Sequence, residues 1–379
     1  MSEKIPIGWK WVKLGEVGIV ITGKTPSSKH PEDWGYDMPF VTPTDFKNYR
    51  KFTYDSERYL SSVGINKLKN KVLPEDSILV TCIGYIGKVV MNKVPVVTNQ
   101  QINSIIPDRN IVFPDFLYYV LVYNYEIFRS FESNGTAVPI LNKTDFENIE
   151  VSLPPLPEQK AIAEVLSSID DKIDLLHRQN KTLEEIAMTL FRQWFIEPTK
   201  DGLPEGWEEV SLGEFFPVIT GKKDANFATD DGSYPFFTCS QKPLKAPSYS
   251  FDGNAILLAG NGDFNIKRYK GKFEAYQRTY VLIPYNSEYF NFLYLLMKFN
   301  LDEITRSFKG SVINYITKDM ITNFKFSLPK DRPSIKDKLL YFDRIYDKVD
   351  ANTSQIQTLD KLRDTLLPKL MSRELRVKV

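Results

Sequence analysis

The chain has 379 residues, of which 42% are hydrophobic and 26% charged, a composition typical of a folded protein with two or three domains. A net charge of +1 excludes nucleic-acid binding through the field of the whole molecule, so any such binding needs local basic patches. The sequence has too few cysteines and histidines for a disulfide framework or a zinc cluster, namely Cys82, Cys239, His30 and His177. We expect both cysteines in the core. The chain shows neither a signal peptide nor a membrane span, and we expect a cytoplasmic protein.

The sequence contains an internal duplication. GWKWVKLGEVGIVITGK at residues 8–24 returns as GWEEVSLGEFFPVITGK at 206–222, with eleven of seventeen positions identical. TNQQINSIIP at 98–107 corresponds in the same way to AYQRTYVLIP at 275–284. A period of about half the chain is too long for a solenoid, so it indicates two copies of one two-part module.

The first part of each copy is predicted to be a mixed, mostly β domain. Short β-branched and aromatic runs such as SILVTCIG and NAILLAG alternate with Gly, Pro and Asn. Residues 18–25, GIVITGKT, match the phosphate-loop pattern letter for letter. However, Ile-Val-Ile-Thr favours a strand, and Pro26 follows where a helix would have to begin. We therefore predict a strand here and no nucleotide site.

The second part of each copy is predicted to be one long helix. Apolar residues recur in alternating steps of four and three, which is typical of a coiled-coil seam, and an asparagine in each seam would fix the register. A helix of ~38 residues spans ~57 Å, more than a domain of radius ~15 Å covers, so we expect the two helices to pair with each other. The alternative is that each helix packs on its own domain. The predicted seam residues are Ile162, Leu166, Ile169, Ile173, Leu176, Asn180, Leu183, Leu190 and Trp194 in the first helix, and Phe342, Ile345, Val349, Asn352, Ile356, Leu359 and Leu366 in the second.

Four separated segments resemble the specificity subunit of type I restriction-modification systems. They are GKTPSSKHPEDWGYDMPFVTPTDF at 23–46, the run that starts LPPLPEQKAIAEVLSSIDDKID at 153, FIEPTKDGLPEGWEEVSLGEF at 195–215, and LLPKLMSREL at 366–375. The likeness covers essentially the whole chain. One departure is SLPKDRPSIKDK before the second helix, which blurs where that helix starts.

The resemblance implies an α+β fold, with two mostly β target-recognition domains and two long helices in an antiparallel coiled coil with pseudo-two-fold symmetry. We place the domains at 1–157 and 198–332 and the helices at 158–197 and 333–379. Such a subunit reads an asymmetric, bipartite, gapped site in double-stranded DNA and itself does no chemistry. Two methyltransferase subunits and endonuclease/translocase subunits join it, and S-adenosylmethionine, ATP and magnesium belong to those partners. The alternative is a protein-interaction scaffold with duplicated binding domains, which the near-neutral charge favours.

DNA contacts are expected from loop residues of the types that bind phosphates and base edges. The candidates are Lys24, Thr25, Tyr85, Lys88, Asn99, Gln100 and Gln101 in the first copy, and Lys222, Lys223, Asn261, Lys267, Arg268, Gln277 and Arg278 in the second. Each could instead be a solvated loop side chain or a turn former, and NQQ and YQR could be buried polar stretches that hold the sheet together. Phe191, Trp194 and Phe195 are expected to contact either the second helix or a docked methyltransferase.

Overall fold

The structure, a computed structural model, describes residues 6–46, 51–133, 139–262, 264–305 and 315–378. The chain divides into unit 1, made of Met1–His177 and Ser354–Val379, and unit 2, made of Arg178–Thr353. Both boundaries fall inside a long helix, so each unit contains one half of each long helix. Within the described ranges, every helix is too short or too polar to span a bilayer.

The described part of unit 1 contains strands β1 to β11, and five of them form its central sheet. Its strands are β1 Lys10–Lys13, β2 Gly18–Thr22, β3 Trp34–Gly35, β4 Met38–Val41, β5 Phe52–Thr53, β6 Tyr59–Leu60, β7 Ile78–Thr81, β8 Val89–Asn92, β9 Val97–Thr98, β10 Ile102–Pro107 and β11 Glu150–Leu153. Its short helices are α1 Ser62–Lys67, α2 Pro114–Tyr123, α3 Tyr125–Ser130 and α4 Lys143–Asn148. The central sheet has the order β2-β10-β7-β8-β5, and β1 pairs with β11 in a separate ladder. Strand β2 confirms the strand predicted in GIVITGKT.

Both faces of this sheet are covered, which explains why β7 and β8 are apolar at almost every position. Ile78 and Val80 of β7 face the main core with α2. Leu79 of β7 and Val90 of β8 face a second, smaller cluster. The prediction of a mixed, mostly β domain is confirmed.

Helix α5, Leu156–Phe191, follows and continues through one π-helical turn, Arg192–Ile196. The strands after it are β12 Trp207–Ser211, β13 Ile219–Thr220, β14 Tyr234–Phe237, β15 Leu244–Ala246, β16 Phe251–Ala259, β17 Ile266–Ala275, β18 Thr279–Leu282 and β19 Lys325–Pro329. The helices after it are α6 Phe290–Phe299, α7 Leu301–Thr305, α8 Lys318–Thr322 and α9 Lys336–Met371.

The sheet of unit 2 repeats the topology of unit 1. Its order is β13-β18-β16-β17-β14-β15, so β13, β18, β16 and β17 occupy the places of β2, β10, β7 and β8. The β12–β19 ladder likewise repeats the β1–β11 ladder. The duplication that the sequence predicts is therefore present in the strand order.

The two long helices run antiparallel in each unit. In unit 1, Glu158 of α5 contacts Arg373, which follows the end of α9. Further along α5, Asp170 binds Arg363 of α9 at 3.0 Å, so the residue numbers on α9 fall as those on α5 rise. Six seam residues form one apolar cluster of this unit, namely Ile169, Ile173, Leu176, Ile356, Leu359 and Leu366. Ile162 and Leu166 join the main core of the same unit.

In unit 2 the same pairing continues. Asn352 Nδ2 donates to Asn180 Oδ1 at 2.9 Å, so the two predicted seam asparagines bind each other. Leu183, Leu190 and Trp194 pack beside Phe342, Ile345 and Val349 in the core of unit 2. Helix pairing is therefore confirmed, and each half-helix pair also packs on the core of its own unit.

The aromatic end of α5 contacts the second helix and not an open surface. Phe191 and Trp194 lie 6.5 and 5.6 Å, between ring centroids, from Phe342 of α9. Phe195 is buried and stacks on Phe191. Of the two expected contacts for these residues, the structure shows the one with the second helix.

Candidate nucleic-acid interface

In each unit the predicted loops meet at one end of the central sheet. Because β2, β10, β7 and β8 are antiparallel neighbours, the ends of β2 and β7 lie beside the starts of β10 and β8. We call the loops at this end of unit 1 edge 1, residues 23–25, 82–88 and 98–101. The equivalent loops of unit 2 are edge 2, residues 221–223, 260–262 and 275–278.

A glycine sets the backbone of both edges. A Cβ on Gly23 would overlap the carbonyl oxygens of Thr98 and Asn99, and a Cβ on Gly221 would overlap those of Ala275 and Tyr276. Only glycine permits so close an approach between the two loops. The repeated Thr-Gly-Lys triplet therefore places a lysine at each edge. The glycine of the triplet, which also fits a phosphate-loop pattern in the first copy, is needed for this close approach.

Edge 1 separates side chains that hold the loop from side chains that face outward. Asn99 is buried, its Nδ2 donates to Gln101 Oε1 at 2.9 Å, and its Oδ1 accepts from the Gln101 amide at 3.1 Å. Lys24 and Gln100 are exposed, and Thr25 Oγ1 donates to Gln100 Oε1 at 2.7 Å. Asn99 thus fits the alternative of a buried polar residue, whereas Lys24, Thr25 and Gln100 form an outward polar surface.

Tyr85 and Lys88 complete edge 1 from the turn between β7 and β8. The Tyr85 side chain is 79% exposed, and Lys88 Nζ lies 5.3 Å from the centre of its ring. An aromatic ring and a cation therefore stand side by side at the outer end of the sheet.

Edge 2 is more basic than edge 1. Lys222 is exposed, with Nζ 5.6 Å from the Phe251 ring, and the half-buried Lys223 has Nζ 4.4 Å from the Phe227 ring. Both lysines thus present their ammonium groups against aromatic faces while remaining at the surface.

A cleft of about 350 Å³ opens at edge 2. Gln277 and Arg278, which are exposed, and Asn261, which is half-buried, contribute to its wall. Cys239 is half-buried, and its Sγ donates to Asn261 Oδ1 at 3.0 Å, so the expectation that it is a core residue is wrong. Cys82, in contrast, is buried in the core of unit 1 as expected. The full lining is Thr220, Gly260, Asn261, Gln277, Arg278, Tyr280, Tyr315 and Ile316.

Lys267 and Arg268, the other two candidates, are engaged inside unit 2. Arg268 donates to both carboxylate oxygens of Asp350 on α9, at 2.6 and 2.9 Å, and its guanidinium lies 4.5 Å from the Tyr346 ring. Burial alone would raise the pKa of Asp350, but hydrogen bonds and charge from Arg268 and Lys270 hold that pKa below its usual value. The Arg268 side chain is only 10% exposed, so it fastens β17 to the helix.

Lys267 lies next to Arg268 on β17 and is similarly occupied. Its Nζ donates to the Thr238 carbonyl at 3.3 Å and to Asn265 Oδ1. Burial lowers the pKa of Lys267 from its ordinary value. Lys267 therefore joins β17 to the end of β14. The remaining candidates of the second copy lie together at edge 2, namely Lys222, Lys223, Asn261, Gln277 and Arg278.

A polar network that the sequence analysis missed joins the sheet of unit 1 to both long helices. Tyr119 of α2 donates to Asp170 Oδ2 at 2.6 Å, and Arg363 of α9 donates to Asp170 Oδ1 at 3.0 Å. Nearby, the buried Lys51 binds Asp115 at 2.6 Å. Burial and then the charge of Asp170 raise the pKa of Tyr119, so its hydroxyl stays protonated and donates. In the sequence, Arg363 stands out as a charged residue among the apolar seam positions of the second helix.

Comparison with known proteins gives consistent matches over the whole chain. The profile of the family described as Type I restriction modification DNA specificity domain matches residues 6–185 and 204–360. The chain is 31% identical over 417 residues to the type I restriction enzyme MjaIX specificity subunit of Methanocaldococcus jannaschii, covering 99% of this chain and 95% of that protein. It is 44% identical over 176 residues to the EcoDI specificity subunit of Escherichia coli, covering 46% and 39% of the two chains.

Among solved structures, the fold is similar to the S subunit of a type I restriction-modification system from M. genitalium. The TM-score is 0.62 at 17% sequence identity, and the match covers 98% of each chain. This likeness agrees with the duplicated sheets and paired helices described above.

Proposed function

We propose that this chain, which belongs to the family of type I restriction-modification DNA specificity subunits, reads one half of a bipartite DNA site with edge 1 and the other half with edge 2. Recognition of a DNA sequence is the function of this family and of this chain. The observation that carries the assignment to the edges is the repeated sheet end, which has the same strand order and the same close glycine approach but different side chains in the two units. Because those side chains differ, the two half-sites differ, and the whole site is asymmetric.

The exposed side chains suit both kinds of DNA contact. Lys24 and Lys222 are exposed and follow the fixed glycines, which supports contacts with phosphates; such contacts position the protein without reading sequence. Gln100 and Gln277 have the amide groups that pair with adenine in the major groove, and Arg278 has the fork that pairs with guanine. We assign the lysines to positioning and the other three side chains to base readout.

The long helices serve as the docking region for two methyltransferase subunits, and endonuclease/translocase subunits join that complex. Exposed apolar side chains on both helices support this proposal: Val165 of α5 and Leu362 of α9 in unit 1, and Ile186 of α5 and Tyr341 of α9 in unit 2. In this proposal the chain does no chemistry, and S-adenosylmethionine, ATP and magnesium bind its partners. We retain residues 1–157 and 198–332 as the two target-recognition domains.

Exchanging one recognition domain tests this proposal directly. Residues 1–157 are replaced by those of another specificity subunit, chosen so that the partners of Asp170 and Asp174, namely Tyr119 and Tyr54, are retained. We expect one half of the methylated sequence to change and the other half to stay, because each edge reads separately. The measurement is a genome-wide map of methylated adenines in cells that carry the complex. A change in both halves or in neither contradicts the proposal, and absence of salt-sensitive duplex binding favours a protein scaffold.

Lys222→Ala tests the phosphate contacts of edge 2. Each lost phosphate contact should lower the slope of log affinity against log salt by about 0.9. The measurement is duplex binding by the complex with its methyltransferase subunits over a range of salt concentrations. Lys325→Ala is the control, because Lys325 binds Glu209 at 2.8 Å on the β12–β19 ladder. An unchanged slope for Lys222→Ala removes this lysine from the contacts.

A further inference from the structure

Resting on the proposed function, we infer that Tyr85 inserts its ring between adjacent base pairs of the half-site that edge 1 reads. Tyr85 is the residue at the tip of the turn that joins β7 to β8, and it is 79% exposed. Side chains inserted between base steps unstack and kink the duplex, which lets more protein surface reach it. The inference adds a local DNA deformation to the contacts of edge 1.

The backbone of the turn is held from beneath. Gly84 and Gly87 have φ of +78° and +88°, which favours glycine. Thr81 Oγ1 donates to the Tyr85 carbonyl at 2.5 Å and accepts from the Lys88 amide at 3.0 Å. The Tyr85 backbone is therefore fixed by the strand end that it follows.

The residue after Tyr85 anchors the turn in the core of unit 1. Ile86 is completely buried, and its amide donates to Glu132 Oε1 at 3.2 Å. A Cβ on Gly87 would overlap the side chain of Phe128, so this part of the turn packs directly on α3. Ile86 therefore holds the turn on the core, while the Tyr85 ring beside it points outward.

The exposed position of Tyr85 is better explained by insertion into DNA than by a contribution to the stability of the fold. A tyrosine that is mostly exposed contributes little apolar burial to the folded chain. Tyrosine has only two side-chain torsions, so ordering it on a ligand costs little entropy. The Lys88 cation 5.3 Å from the ring adds positive charge beside the point of insertion, where the DNA backbone passes.

The sequence of the second copy has a different residue after the corresponding glycine. Gly262 has φ of +73° and corresponds to Gly84, and its loop pairs Asn261 with Tyr315 as the first loop pairs Ile83 with Ile140. The next residue in the sequence is Asp263, which lies outside the described residues. A carboxylate does not stack on bases and is repelled by phosphates, so we expect insertion in one half-site only.

The test compares Tyr85→Phe and Tyr85→Ala in the full chain assembled with its methyltransferase subunits. The probe is a duplex with the mapped methylation site, in which 2-aminopurine replaces one base at a time in the half-site of edge 1. The adenine that becomes methylated is left out, because the enzyme must extrude that base in any case. Tyr36→Ala is the matched control, since Tyr36 is 94% exposed in another loop of unit 1.

We expect a change of 2-aminopurine fluorescence at one base step for the unsubstituted complex and for Tyr85→Phe. The change should be absent for Tyr85→Ala, whose affinity should fall roughly 5- to 150-fold, the range that corresponds to loss of one stacked base. Tyr36→Ala should behave as the unsubstituted complex, and the melting temperatures of all variants should agree.

Three results would overturn the inference. The first is an Ala variant that keeps both the signal and the affinity. The second is an Ala variant that no longer assembles with the methyltransferase subunits, which would make Tyr85 a protein contact. The third is an unsubstituted complex that binds no duplex in a salt-sensitive manner, which would reject the proposed function together with the inference.

Discussion

Asp170→Ala is expected to destabilise unit 1 by about 3–4 kcal/mol, because it removes a buried acceptor shared by the buried Tyr119 and the half-buried Arg363. The Tyr119 hydroxyl, on a residue 1% exposed, would lose its acceptor. Arg363 would keep Asp360 and Asp364 at 3.2 and 2.9 Å but lose the buried carboxylate. Since Tyr119, Asp170 and Arg363 lie on α2, α5 and α9, the substitution loosens three elements at once.

Thermal and denaturant unfolding of the full chain measure this effect. A loss of that size corresponds to a fall in melting temperature of roughly 6–16 °C for a unit of this length. Asp171→Ala is the matched control, since Asp171 is the exposed neighbour on the same helix and should change stability by no more than about 0.5 kcal/mol. Equal effects of the two substitutions would contradict the role given to Asp170.

A double-mutant cycle with Arg363→Met separates the network from simple loss of a side chain. The double variant should be more stable than Asp170→Ala alone, because the arginine that would be left without its buried partner is also removed. Strict additivity of the two single effects would mean that the 3.0 Å contact contributes no coupling.

Inserting four residues in each long helix, after His177 and after Thr353, is expected to lengthen the gap of the DNA site by about two base pairs. Four helical residues advance ~6 Å and add a right-handed turn of ~40°, whereas two base pairs advance ~7 Å and turn ~70° in the same sense. The small remaining mismatch can be absorbed by the seam, because four-residue insertions unwind paired helices only locally. Mapping of methylated adenines measures the gap.

Two further insertions serve as controls. Seven residues in each helix advance ~10 Å but turn about −20°, while the three base pairs of matching length turn ~100°, so we expect much weaker methylation. Four residues in α5 alone have no partner stretch on α9, and no lengthened site is expected. A gap that stays unchanged after insertion in both helices would contradict the expectation that longer helices lengthen the gap.

The features that the sequence predicted best are periodic or repeated. The pairing of α5 with α9 follows from apolar steps of four and three. The sequence places Asn180 and Asn352 in the two seams, and the structure shows that they bind each other. The shared strand order follows from the duplicated segments. These signals are patterns that recur along the sequence, so composition and spacing are enough to find them.

Individual partners could not be predicted, because they depend on residues far apart in the chain. Arg268 has the side chain of a DNA contact, yet its carboxylate partner is Asp350, 82 positions away. Asp170 and Arg363 are separated by 193 positions. Cys239 was expected in the core, but it follows the end of β14 and is half-buried there, and Asn261 Oδ1 accepts from its thiol. Residue type indicates what a side chain can bind, whereas the fold decides which group reaches it first.

The close packing at Gly23 and Gly221 has a practical consequence for protein engineering. Any attempt to select altered sequence preferences from a combinatorial library should keep these two glycines unvaried, since every other residue would collide with the neighbouring carbonyl groups. Diversity can then be concentrated on the outward positions beside them, such as Lys24, Gln100 and Lys222. Libraries built this way should yield a larger share of folded clones than libraries that randomise the whole triplet.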